Sequence, residues 1–104
     1  MKGALILDNT FIVPVTDDER FVVMQTLIDF NEMENVRFMS LDSIANASCL
    51  KKSKVRHVLD DLMNKQYITR YVASENPKLP RYYYVVNAAG REFIDAHLQT
   101  LKEE

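Results

Sequence analysis

A single cysteine, Cys49, excludes an internal disulfide and points to a reducing compartment. Two histidines, His57 and His97, lie 40 positions apart with no cysteine or histidine at ligand spacing, so no metal site is expected. With 2 glycines the chain has no glycine-rich cradle for a phosphate, and with 3 prolines it has few places for a linker. Long apolar runs are also missing. Ala4 to Leu7 are four consecutive apolar residues that Asp8 interrupts, too few for a signal-peptide core or a membrane span. No catalytic triad can be assembled from the serines, Cys49, the histidines and the acids. The expectations are a cytosolic protein with no catalytic residues, no metal, no cofactor and no membrane partner.

What is present is enough for one domain. A chain of 104 residues buries roughly 65% of the surface its unfolded form exposes, which suffices to fold without staples. Its formal net charge is -2 and its pI about 5.7, more acidic than nucleic-acid-binding domains usually are. The distribution runs the other way. Residues 1 to 50 hold three basic and eight acidic side chains, net -5, whereas residues 51 to 81 hold eight basic and three acidic, net +5. Positive charge is gathered in one third of the chain.

The local patterns predict an ordered series of elements. Ala4–Leu7 and Phe11–Val13 flank Asp8-Asn9-Thr10 as an N-terminal β-hairpin, residues 1–15. Thr16-Asp17-Asp18-Glu19 has the form of a capping box that opens a helix to about Met33, with Phe21, Met24, Leu27 and Ile28 as its apolar stripe and Val23 on the flank. Val36-Arg37-Phe38 reads as a brief strand before Ser40, an N-cap. Two short helices follow. Leu41, Ile44, Ala45 and Leu50, then Val55, Val58, Leu59 and Leu62, supply their buried stripes. Cys49, in the turn between them, is expected to be packed. Tyr67–Ala73 and Arg81–Val86 form a hairpin whose tip carries Pro77 and Pro80, and Tyr82, Tyr83 and Tyr84 alternate between its faces. Asn87 caps a last helix, on which Phe93, Ile94, Leu98 and Leu101 share a face.

Two helices around a tight turn, then a strand hairpin, make a helix-turn-helix with a wing. With Val55, Val58, Leu59 and Leu62 turned inward, Ser53, His57, Asp60 and Asn64 point out, and Lys54 and Arg56 flank them. Ser53, Arg56 and His57 are then placed to reach base edges in a major groove. Lys51, Lys52 and Lys54 are placed to meet phosphates, and Lys78 and Arg81 extend the basic surface into the wing. Asp60 and Asp61 either accept from cytosine amino groups or pair with Arg56.

The residues also resemble a family. Ile44-Ala45 in the first helix of the motif, Ser53, Val55, Leu59 and Leu62 in the pattern S-x-V-x-x-x-L-x-x-L, and Tyr84 to Arg91 in a Y-x-L-T-x-x-G-R pattern with Asn87 for Thr are similar to the MarR and PadR type of bacterial winged-helix regulators. Gln66-Tyr67-Ile68 stands where that type has Gly followed by two apolar residues. The resemblance covers about residues 36 to 95. It implies an α+β, mainly helical fold: a winged-helix core over residues 16–95, with the N-terminal hairpin before it and a C-terminal helix over residues 88–104. It further implies a transcriptional regulator that binds double-stranded DNA, a repressor acting as a homodimer, with an effector the sequence does not name. Phe93, Ile94, Leu98 and Leu101 are the expected dimer interface. The alternatives are a winged helix used for protein contact, or a replication-associated phage or plasmid protein.

Overall fold

The structure, a computed structural model, describes residues 14–33, 38–73, 76, 78 and 80–103. Helix α1 (Asp17–Asn31) opens on the capping box expected of it: Thr16 accepts from the Glu19 N–H at 3.1 Å and the Glu19 carboxylate accepts from the Thr16 N–H at 2.9 Å. Helices α2 (Leu41–Ser48) and α3 (Lys52–Asn64) follow, then strands β1 (Ile68–Val72) and β2 (Tyr82–Val86) and helix α4 (Ala88–Lys102). The strands pair antiparallel, with Ile68 opposite Val86 and Val72 opposite Tyr82. Ser40 caps α2 and Asn87 caps α4. The expected N-terminal hairpin, and Val36 and Arg37 of the expected brief strand, lie outside the described residues. Phe38 has no regular structure, and the Met39 N–H donates to the Tyr82 carbonyl at 2.7 Å.

The core gathers Val23, Met24 and Leu27 of α1, Ile44 of α2 and Val55, Val58 and Leu62 of α3, all without solvent exposure. Val23 is central rather than flanking, because α1 packs against α2, α3, α4 and β2 and so buries more than one stripe. Tyr84 alone of the three tyrosines is buried, since it shares the inward face of β2 with Val86.

Two tight turns use left-handed residues that are not glycine. Cys49 ends α2 at φ 60° and is exposed, contrary to the packed position expected. The turn buries Ser48 instead, whose hydroxyl donates to the Ile44 carbonyl at 2.6 Å. Gln66 follows α3 at φ 62°. Around it the Tyr67 N–H bonds to the Leu62 carbonyl and the Gln66 N–H to the Met63 carbonyl, the paired bonds of a Schellman stop that glycine ordinarily supplies. Gln66→Gly is expected to raise stability by about 0.5 kcal/mol, the left-handed penalty relieved less the extra entropy of glycine, and so to raise Tm by about 3 °C. An unchanged or lowered melting temperature contradicts this.

Candidate nucleic-acid interface

Helix α3 places its ends by different means. Lys51, its N-cap, makes no side-chain cap, so the first amides of the helix stay open on the surface. Lys52, Ser53, Arg56 and His57 are exposed beside them, with Asp60 and Asn64 further along. Lys52 reaches back to Asp42 of α2 at 3.3 Å, a pair in which both partners are more than half exposed and which therefore holds Lys52 weakly.

Lys54 departs from the expected arrangement. Its side chain is 18% exposed, and its Nζ lies 3.5 Å from Glu19 Oε2 on α1, turned from the outer face. The carboxyl of Glu19 is held below its ordinary range by the Thr16 amide, with Lys54 adding to the effect and burial opposing it. That contribution to stability is lost as pH falls through the lowered pKa. Asp61 also faces α1 rather than Arg56: Arg20 Nε donates to Asp61 Oδ2 at 2.7 Å and Arg20 Nη2 to Oδ1 at 3.3 Å, while Nη1 binds Asp17 at 2.7 Å. This fork holds the guanidinium charged above its usual value and fixes α3 against α1. Arg20 is a positioning residue that spacing along the chain could not reveal, since it stands 41 positions from Asp61.

Between the outer face of α3, the start of α2 and the wing lies an open groove of about 540 Å³. Lys52 and Arg56 line it from α3, and Arg70 and Arg81 from the wing, with Met39, Leu59 and Tyr84 among its apolar lining. Both wing arginines rest on aromatic rings: Arg70 lies 4.3 Å from the centre of Tyr82 and Arg81 4.4 Å from that of Phe38. Such stacking orients the guanidinium without using its donors. Burial raises the Tyr84 phenol above its usual pKa, against the pull of Arg70. Arg70 is not among the residues expected here on sequence grounds. Its signal lies in period two, since Arg70 shares a strand face with buried Ile68 and so turns toward α3. Asp42 and Asp60 also line the groove, the only acidic residues in its lining among the described residues. Lys78 is exposed in the wing tip, where its N–H donates to Asn76 Oδ1 at 2.9 Å.

The residues expected to meet a second copy divide. Ile94 is in the core of the single chain, and Phe93 is half-buried, 5.4 Å from the ring centre of Tyr67. Both are consumed by packing against α1 and the hairpin and leave little for a partner. Leu98 and Leu101 remain exposed. Among the described residues no cluster of three potential metal ligands occurs, and no helix is long and apolar enough to cross a membrane.

No protein-family model matches the sequence, and no curated protein matches it. Solved structures do. A mutant of MepR from a multidrug-resistant Staphylococcus aureus clinical isolate superimposes with a TM-score of 0.64 at 18% identity, over 94% of this chain and 63% of that one. The S. aureus MepR–DNA complex gives 0.63 at 19% identity, over 94% and 63% of the two chains. This chain has the winged-helix fold of those regulators. BpsR of Bordetella bronchiseptica, whose DNA binding is regulated by 6-hydroxynicotinic acid, gives 0.61 at 17% identity, over 81% and 58%. The chain thus spans 63% of the MepR chain and 58% of the BpsR chain.

Proposed function

We propose that the chain is a DNA-binding transcriptional regulator of the MarR type, a repressor that reads the major groove with α3 and contacts the flanking backbone with its wing. One observation carries this reading. In a chain of net charge -2, Lys52, Arg56, Arg70 and Arg81 line a single groove, while the acidic first turn of α1 is spent on Arg20, Lys54 and His97. Ser53, Arg56 and His57 are the base readers, and Lys51, Lys52, Lys78, Arg70 and Arg81 the phosphate contacts. Lys54 serves by holding α3 to α1. Arranged so, the protein needs no catalytic group, and it acts in the cytoplasm.

A single recognition helix covers only a few base pairs. A homodimer placing two such helices in adjacent major grooves about 34 Å apart supplies the missing affinity. Residues 1–13 and the distal turns of α4 are the segments outside the minimal winged helix that could join two copies.

Selection of duplexes from a randomised pool tests the function. Enrichment of two related half-sites about 10 base pairs apart is expected. Asp42 and Asp60 in the groove favour the second reading, a surface for a basic protein segment. No enrichment from the pool at low salt would replace the first reading with this one. Within the regulator reading, Lys78→Ala with Arg81→Ala should weaken all duplexes alike and lower the salt slope by about 2, leaving the selected half-site unchanged. A changed half-site contradicts the role given to the wing.

A further inference from the structure

Of Lys52, Lys54 and Arg56 on α3, only Lys54 is turned inward, and it is poorly accommodated there. Its Nζ is closed off from solvent and makes no hydrogen bond to the described residues; the Glu19 carboxylate, at 3.5 Å, is its one ion pair among them. An ammonium has three donors, and leaving them unmade where water cannot reach is costly. Glu19 is held independently, since its other oxygen accepts from the Thr16 N–H at 2.9 Å. The two acids before it are taken, Asp17 by Arg20 at 2.7 Å and Asp18 by His97 at 2.8 Å. Without the Glu19 charge, Lys54 has no substitute in that turn.

We propose, on the reading that α3 binds DNA, that Glu19 withholds Lys54 from the duplex and that Lys54, once released, is a further phosphate contact. Lys52, Ser53 and Lys54 are the first residues of α3, whose amides lack acceptors within the helix and favour an anion. Lys54 stands about 100° round the axis from Ser53, at the rim of the outer face. Its flexible four-carbon stem lets the ammonium swing from the α1 side to a phosphate at that helix end. The carboxylate on α1 competes for the same cation, and so sets how tightly the face binds. Release needs no unfolding, because the fork of Arg20 on Asp61 still joins α1 to α3.

Glu19→Gln tests this, since glutamine keeps the capping box and removes the charge. Reductive methylation of the free chain reads Lys54 without DNA. Lys54 should be protected in the wild-type chain and modified in Glu19→Gln as fast as exposed Lys51 and Lys65; continued protection overturns the release. Titrated with a random duplex, Glu19→Gln should bind about fivefold more tightly at about 100 mM salt, with a salt slope steeper by about 0.9. In a chain carrying Lys54→Met, which keeps the packed stem, the same substitution should leave the slope unchanged. Equal steepening in both backgrounds assigns the effect to the lost carboxylate's field and overturns the proposal, as does an unchanged slope in Glu19→Gln alone. Lys54→Met by itself should not alter the wild-type slope; a loss of about 0.9 would place Lys54 on DNA already and overturn the withholding. No binding by the wild-type chain at low salt overturns the reading of the face itself, and the proposal falls with it.

Discussion

Lys52→Ala, Arg56→Ala and Arg70→Ala together are expected to weaken binding to duplex DNA about a hundredfold at physiological salt while the chain stays folded. The three side chains converge on the groove from α3 and β1, and none belongs to the core. Removing the cation opposite one phosphate lowers the salt slope by about 0.9. Lys54 does not belong in this set. Its pair with Glu19 ties α3 to α1, so its removal would report on stability as much as on binding. The single variants should differ in kind: Lys52→Ala weakens all sequences alike, whereas Arg56→Ala relaxes preference at one position by about 1 to 3 kcal/mol. Binding by anisotropy and folding by circular dichroism check this together. Unchanged affinity in the folded triple variant contradicts the assignment.

Gly90→Ala carries the largest expected cost in stability. A Cβ at this position would run into the carbonyl oxygen of Tyr67 and would lie 2.7 Å from Val86 Cγ1 and 3.2 Å from Met24 Sδ. The carbonyl cannot step aside. It accepts from the Asn87 N–H at 3.0 Å, while the Asn87 side chain accepts from the Gly90 N–H at 3.0 Å and donates to the Gln66 carbonyl at 2.6 Å. The end of α3, the start of α4 and the Gln66 turn therefore meet where only hydrogen fits. A loss of about 3 kcal/mol is expected, lowering Tm by about 12 °C or more, although alanine is the better helix former. Thermal melting decides it, and a shift under about 4 °C would show that the helices part at little cost.

Gly90 also shows what the sequence could disclose. The glycine stands in the Tyr84 to Arg91 stretch that carries the family resemblance, and its neighbour Asn87 takes the cap expected of it, whereas which of the three alternating tyrosines is buried, Tyr84, comes from the structure. Capping boxes, N-caps and apolar stripes act within a turn or two of chain, so Thr16, Ser40 and the inward face of α3 are legible. Contacts across the fold are not. Arg20 finds Asp61, and Lys54 finds Glu19, only once α1 lies across α3, and no local rule favours those partners over Arg56 or solvent. Cys49 departs from its expected place for a related reason: composition marks a cysteine as apolar, but the left-handed close of α2 turns it outward and buries Ser48. Arg70 stands two residues from a buried isoleucine, yet charge counted along the chain does not show that it shares a groove with Arg56.

The face formed by α3 and the wing is held to neutralise DNA phosphates, and everything else proposed for the chain's function depends on that. A salt titration of binding to a random duplex, followed by fluorescence anisotropy from about 50 to 200 mM, tests it most directly. With Lys51, Lys52, Arg70, Lys78 and Arg81 engaged with phosphates, the logarithm of the affinity should fall linearly against the logarithm of salt with a slope of about -4.5 per copy of the chain. No binding at the lowest salt, or a slope near zero, would contradict it.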